Sequence, residues 1–150
     1  MCSDLETSCS VVIPTYLRYD ILHEAVECAA TQTHPPNEIV VVDSSPDATE
    51  CRQEFLSRFR GLFPQIEWQY LVSEIRSSTV QRNMGISATR SDIVFLIDDD
   101  SFMYPDYIEH IMQFYLADKE HKVAGIMGTL AGCPYSKSQA MPDRKQEFAS

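Results

Sequence analysis

Three consecutive aspartates, Asp98, Asp99 and Asp100, directly follow a short apolar run that ends at Ile97. Their negative charges repel at close range, which favours partial protonation unless a cation lies between them. Hard cations such as Mg²⁺ and Mn²⁺ take carboxylate oxygens and leave positions for phosphate and water. Because alternate side chains of an extended segment point the same way, Asp98 and Asp100 can face one ion while Asp99 points elsewhere. A solvated acidic turn is the alternative, but the position after a buried strand favours the metal site.

A second acidic loop, Asp43-Ser44-Ser45-Pro46-Asp47, follows another apolar run. A carboxylate at Asp43 can accept hydrogen bonds from a ribose or from a base N–H, as acids do in other nucleotide-binding sheets. The same five residues also have good turn chemistry. A nucleotide contact and a turn-initiating aspartate are therefore equal alternatives for Asp43.

Arg76, Arg82 and Asn83 are a third polar group. In a chain this acidic, an arginine near an acidic edge can pair with a diphosphate or hold an aspartate in place. The alternative for both arginines is a surface salt bridge, which contributes little to stability. Position in the sequence alone does not decide between these interpretations.

Alternating strand and helix patterns must position these groups. The apolar runs 11–13, 39–42 and 93–97 predict strands buried on both faces, whereas the period of two in 66–72 predicts a less buried strand. The run 123–127 is a weaker strand candidate. Between the runs, apolar residues recur with the period of a helix, and Asp20 is a plausible N-cap for the first helix.

This alternation predicts an α/β fold with a mostly parallel sheet and helices on both faces. In such sheets ligands bind outside the carboxyl ends of the strands. The loop Pro14-Thr15-Tyr16-Leu17-Arg18 and the two acidic loops should therefore converge on one edge. We expect one domain over residues 1–131 and a polar loop or tail over 132–150.

Composition excludes several classes of function. The 150 residues carry 22 acidic against 12 basic side chains, a net charge of -10 that opposes nucleic-acid binding. No stretch approaches the length of a membrane span. Five widely spaced cysteines without C-x-x-C argue against a zinc ribbon and fit a reducing cytoplasmic location. The chain has no G-x-S-x-G, G-x-G-x-x-G or P-loop, so acyl transfer, dinucleotide redox chemistry and P-loop NTPase activity have no support.

Together, four segments resemble family-two glycosyltransferases. Residues 10–18, Ser-Val-Val-Ile-Pro-Thr-Tyr-Leu-Arg, resemble the opening V-V-I-P-T-Y-N-R of that family, and residues 32–43 resemble its second strand. Residues 82–85, Arg-Asn-Met-Gly, resemble its R-N-x-G. Residues 95–100, followed by Pro105-Asp106, resemble its D-x-D strand and the next helix start. The four segments stand in the family's order between Ser10 and about Gly128.

The resemblance implies a GT-A fold, either whole or truncated. It also implies an inverting, metal-dependent transfer of a sugar from a nucleotide diphosphate sugar to an unknown acceptor, such as a glycan, a lipid or a small molecule. In that family the first loop and the second-strand acid hold the nucleoside, and the D-x-D aspartates contact the ribose and an Mn²⁺ or Mg²⁺ ion. The implied metal ligands are Asp98 and Asp100. The implied nucleotide-sugar-binding residues are Pro14, Thr15, Tyr16, Arg18, Asp43, Arg76, Arg82, Asn83, Asp98 and Asp99.

The chain also departs from the family pattern. Asp43-Ser44-Ser45-Pro46 replaces D-D-G-S, and Leu17 replaces the usual asparagine. Inverting transfer needs a base to deprotonate the acceptor hydroxyl, but no segment between Gly128 and Ser150 matches the family's base, so the catalytic residue is not assigned. Two alternatives remain: a non-catalytic nucleotide-sugar-binding module, and a haloacid-dehalogenase-type phosphohydrolase, whose nucleophile strand also ends in D-x-D.

Overall fold

The computed structural model describes residues 7–128, in which four strands alternate with four helices. All three strand pairs are parallel, which confirms the predicted α/β class. In chain order the elements are β1 (Cys9–Thr15), α1 (Tyr19–Ala30), β2 (Glu38–Asp43), α2 (Ala48–Leu62), β3 (Glu67–Val72), α3 (Ser78–Ala88), β4 (Ile93–Leu96) and α4 (Tyr107–Ala117).

The strands lie in the order β3-β2-β1-β4. The chain first moves outward from β1 through β2 to β3, and then returns across the sheet to place β4 on the other side of β1. The direction of winding therefore reverses between β1 and β4. Open α/β sheets bind their ligands in the crevice at such a switch point, outside the carboxyl ends of the strands.

Helices cover both faces of the sheet, as predicted. Val11 and Ile13 point to one face and pack with buried residues of α1, α2 and α4, whereas Val12 points to the other face. On that second face, Gly85 of α3 lies so close to Val12 that a Cβ would collide with the valine side chain. The glycine therefore allows α3 to pack directly against the sheet.

Three local predictions are wrong. Residues 123–127 form no strand; none of them pairs with a strand of the described sheet, and Met127 is 92% exposed. The run 93–97 does form strand β4, but β4 is not buried on both faces, because within residues 7–128 it lies at the edge of the sheet, and Leu96 is 47% exposed. Helix α1 begins at Tyr19 with Arg18 in the N-cap position, so Asp20 lies inside the first turn, where its charge still complements the helix dipole. The predicted tail, 132–150, lies outside the described residues. None of the helices within 7–128 combines the length and apolar character that a membrane crossing requires.

Candidate functional site

A wide cleft of about 430 Å³ opens at the carboxyl ends of β1 and β4. Its volume falls within the roughly 300–1,000 Å³ typical of small-molecule sites. Most of the predicted site residues line it, but Asp43, Arg82 and Asn83 do not. The lining residues are Pro14, Thr15, Tyr16, Arg18, Arg76, Ser77, Ser78, Gln81, Asp98, Asp99 and Asp100.

Asp99 is the fixed member of the aspartate loop. It is only 7% exposed. One carboxylate oxygen accepts a hydrogen bond from Thr15 Oγ1 at 2.8 Å, and the other accepts from Arg18 Nη1 at 3.3 Å. Asp99 therefore links the segment after β4 to the end of β1 and to the loop that follows it. These side-chain contacts join the two strands at the switch point.

Asp98 and Asp100 are about half exposed, with side-chain exposures of 54% and 49%. Each forms an ion pair with an arginine from another element. Arg82, on α3, pairs with Asp98, and Arg18 Nη1 lies 2.9 Å from Asp100. The carboxylates of Asp99 and Asp100 raise the pKa of Arg18. The two exposed carboxylates thus face the cleft already partnered by cations.

The chemistry of this donor set fits a hard divalent cation. Within residues 7–128, no three or more His, Cys, Asp or Glu side chains are grouped so that they could hold a metal ion by themselves. Mg²⁺ commonly binds through one or two carboxylates, completing its shell with water and substrate phosphates. Asp98 and Asp100 supply two accessible carboxylates of this kind, each beside a guanidinium. The segment is not extended as the alternation argument assumed, because Asp99 and Asp100 lie in a turn.

Asp43, by contrast, is completely buried. Its carboxylate accepts four hydrogen bonds: from Tyr70 Oη at 2.5 Å, Tyr19 Oη at 3.1 Å, Ser45 N at 2.8 Å and Ser45 Oγ at 2.5 Å. Burial first, and then the hydrogen bond to Asp43, raises the pKa of Tyr70, so that hydroxyl keeps its proton and remains a donor. Asp43 is a saturated buried acceptor beneath the loops.

The remaining predicted residues lie on or just before α3. The guanidinium of Arg76 lies over the ring of Tyr16, 3.8 Å from its centroid, in a cation–π contact at the cleft wall. Arg82 reaches the site through its ion pair with Asp98. Asn83 is exposed on α3 and does not line the cleft. The structure therefore brings both arginines to the site, but not the asparagine.

Three supporting residues escaped sequence reasoning. Gln81 is buried, and its amide donates to the carbonyl oxygens of Thr15 and Val42, which joins α3 to the ends of β1 and β2. Tyr19 and Ser45 hold Asp43. For this region the sequence offered one signal, the pair Ser77-Ser78 at the start of α3. Serines at the start of a helical pattern indicate the N-terminus of a helix. The Ser77 hydroxyl does accept from the backbone N–H of Val80.

Comparison with known proteins identifies the family of the chain. An uncharacterized glycosyltransferase of Bacillus subtilis, YwdF, is 33% identical over 120 residues, which cover 79% of this chain and 42% of that protein. The glucosyl-dolichyl phosphate glucuronosyltransferase of Haloferax volcanii is 33% identical over 110 residues, covering 71% of this chain and 33% of that protein. The chain thus spans less than half of either relative.

Among solved structures, the mannosyltransferase PcManGT of Pyrobaculum calidifontis, in complex with GDP-Man and Mn²⁺, superposes with a TM-score of 0.59. It is 25% identical in sequence, and the match covers 74% of this chain and 32% of that one. The family model for glycosyl transferase family 2 matches residues 10–145. The chain belongs to glycosyl transferase family 2 and has the GT-A fold.

Proposed function

We propose that the cleft binds a nucleotide diphosphate sugar together with Mn²⁺ or Mg²⁺, and that the protein transfers the sugar to an acceptor with inversion. The observation that carries this proposal is the pair of accessible carboxylates, Asp98 and Asp100, each held by a guanidinium beside the cleft at the switch point. PcManGT, which is similar in fold, was solved with such a donor and with Mn²⁺.

The end of β1 and the loop after it are the proposed nucleoside contact. Pro14, Thr15 and Tyr16 line the cleft, and the ring of Tyr16 is already covered on one face by Arg76. A planar base can stack on such a ring or on the guanidinium plane. Arg18 is proposed to border the same nucleoside from the end of this loop.

Asp43 remains a predicted nucleoside contact, but burial sets a condition on it. Its carboxylate already accepts four hydrogen bonds. A base N–H or ribose O–H can therefore reach Asp43 only by replacing one of these donors. The longest of the four bonds, from Tyr19 at 3.1 Å, is the one we expect to yield.

Transfer breaks the bond between the sugar and the diphosphate, and negative charge grows on the leaving diphosphate. A divalent cation, when bound to Asp98 and Asp100, stabilises this charge without a proton transfer. Arg82 is proposed to border the leaving group. The first turn of α3 presents Ser77 and Ser78 to the cleft, and the partial positive charge of a helix N-terminus favours a phosphate there. Asn83, at the next position of α3, is exposed and does not line the cleft, so this proposal gives it no contact with the donor.

Binding titrations of the 150-residue chain test this proposal. UDP-, GDP- and dTDP-sugars are titrated calorimetrically with and without Mn²⁺. We expect at least one donor to bind, and to bind more tightly with Mn²⁺. The double variant Asp98→Asn, Asp100→Asn should lose the Mn²⁺ effect, whereas Asp20→Asn, the same change at an exposed position outside the cleft, should keep it.

The outcomes separate the alternatives. If no nucleotide sugar binds in either condition, the donor site is wrong. Binding without any slow hydrolysis or transfer of the sugar favours the nucleotide-sugar-binding module. The match to glycosyl transferase family 2 gives no support to the phosphohydrolase alternative. The acceptor, and the cytoplasmic location expected from cysteine usage, stay predictions.

A further inference from the structure

The two arginines of the cleft occupy the carboxylates that a cation would use. Arg82 is the partner of Asp98, and Arg18 is the partner of Asp100 while also contacting Asp99. Two guanidiniums thus neutralise most of the charge of three carboxylates. A divalent cation that approaches this loop alone meets little net negative charge, and one oxygen of each exposed carboxylate is already hydrogen-bonded to a guanidinium.

The two arginines approach from different elements. Arg82 lies on α3, behind one face of the sheet, and Arg18 lies at the start of α1, after the β1 loop. Their side chains are 34% and 55% exposed. Exposed ion pairs of this kind are weak and change partners readily. Asp99 differs, because Thr15 also holds it and it is nearly buried, so it keeps its position when the arginines move.

Phosphate is a better partner for a guanidinium than a single carboxylate oxygen, because its charge is larger and its oxygens match the planar fork. We propose that Arg82, together with Arg18, exchanges partners when a nucleoside diphosphate enters: each guanidinium turns from its aspartate to the phosphate oxygens, and Asp98 and Asp100 become free for a divalent cation. This inference rests on the proposed donor site and adds that diphosphate and cation bind cooperatively because they share two arginines.

The coupling is reciprocal, since a ligand that strengthens the binding of a second ligand is strengthened by it to the same degree. It predicts a specific asymmetry. Removal of the Arg82 guanidinium should help the cation when it binds alone, since Asp98 loses its competitor, and should weaken the diphosphate. An arginine that only contacts phosphate would do the second without the first.

The experiment measures binding of Mn²⁺ to the 150-residue chain by the electron paramagnetic resonance signal of free Mn²⁺, with and without UDP or GDP. In the unsubstituted chain we expect the nucleotide to tighten Mn²⁺ binding at least about fivefold. In Arg82→Gln, Mn²⁺ alone should bind about two- to fivefold more tightly, the factor set by loss of an exposed ion pair, and the effect of the nucleotide should shrink.

Two further variants keep the interpretation specific. Arg82→Lys retains the charge and should keep Mn²⁺ binding weak in the absence of nucleotide. Arg52→Gln removes an exposed arginine of α2 that does not line the cleft, and should change neither quantity. If Arg82→Gln leaves Mn²⁺ binding unchanged while the nucleotide still tightens it fully, the exchange is overturned and the donor site stands. If no nucleotide binds to the unsubstituted chain, the donor site itself is overturned.

Discussion

Two acidic segments lie at the carboxyl ends of β2 and β4, on either side of β1, and their carboxylates differ in burial and in bonding partners. Asp43, the last residue of β2, is fully buried and accepts from hydroxyl and amide donors. Asp98 and Asp100, beyond the end of β4, are half exposed and pair with guanidiniums. The residue type is the same, but Asp43 still lies within the paired sheet, between β1 and β3, whereas Asp98 and Asp100 lie outside it. Neutral donors in the core fix a carboxylate, whereas surface cations leave it able to change partners.

The buried loop supports the exposed one through a chain of contacts. Ser45 donates to Asp43 and accepts, on the same oxygen, from the backbone N–H of Leu17 at 2.8 Å. Leu17 has a φ of 53°, in the left-handed region that costs a residue with a side chain about 1–3 kcal/mol. This bend directs the chain toward Arg18, the partner of Asp99 and Asp100. The buried Asp43 thereby shapes the loop that carries Arg18.

The largest expected effect follows from substitution of the buried aspartate. In Asp43→Asn an NH₂ group replaces one carboxylate oxygen and meets hydroxyl or N–H donors that it cannot accept from. At least one hydrogen bond to a charged acceptor is lost while its donor stays buried. We expect the free energy of unfolding to fall by about 3 kcal/mol, measured by urea denaturation. A loss no larger than that of an exposed aspartate would contradict the role assigned to this residue.

Glu38 offers a matched control at the opposite end of the sheet. It is also buried and accepts from Ser10 Oγ at 2.7 Å and from Gln69 Nε2 at 2.5 Å. Glu38→Gln should lower stability by a similar amount. Because it lies away from the cleft, its folded fraction should bind nucleotide normally, whereas Asp43→Asn should weaken binding as well, since the loop that ends at Arg18 loosens.

The second prediction concerns alkaline pH. Burial raises the pKa of Tyr70 and of Tyr19 above that of an unfolded tyrosine, which is near 10. The contribution of each protonated tyrosine to the free energy of unfolding is therefore complete below about pH 10. Above that pH the free energy of unfolding falls by about 1.4 kcal/mol per pH unit for each tyrosine that is protonated in the folded state but ionised in the unfolded state. Tyr70→Phe should lower stability at pH 7 by about 2 kcal/mol, since a hydrogen bond to a charged acceptor is lost.

The diagnostic quantity is the slope of stability against pH between pH 10 and 11. The slope for Tyr70→Phe should be less steep than the slope for the unsubstituted chain by the contribution of one proton. The other groups that titrate at alkaline pH contribute equally to both slopes. Equal slopes would mean that Tyr70 ionises as easily in the fold as outside it, and the neutral, buried character of the Asp43 environment would be wrong.

The sequence predicted much of this arrangement, because hydrophobic period is a local property. The runs around Val12 and Val40 predicted buried strands, and parallel strands bring their carboxyl ends together, so convergence of the polar loops followed. The run 123–127 failed because apolar residues alone do not supply a neighbouring strand. Burial of the polar side chains was not predictable in this way.

Asp43 shows the reason. Two of its four hydrogen bonds come from Ser45, as in a local turn, but the other two come from α1 and β3, 24 and 27 residues away in the chain. Nothing near Asp43 in the sequence indicates these distant donors. The pairing of Arg82 with Asp98 likewise depends on how α3 packs, which is set by the close approach of Gly85 to the sheet. Convergence of the polar loops on one cleft was therefore predictable, but the partners of their side chains were not.

The smallest expected effect belongs to the exposed pair. Asp98 and Arg82 are 54% and 34% exposed, so their ion pair exchanges with water at little cost. Asp98→Asn should change the free energy of unfolding by no more than about 0.5 kcal/mol, and added salt should reduce even that difference, because surface charges are screened. The same substitution should abolish most of the Mn²⁺ effect on nucleotide binding. If Asp98→Asn lowered the free energy of unfolding as much as Asp43→Asn, the loop at Asp98 would be held as firmly as the loop at Asp43. Asp98 would then not be released from Arg82, and the proposed partner exchange would be contradicted.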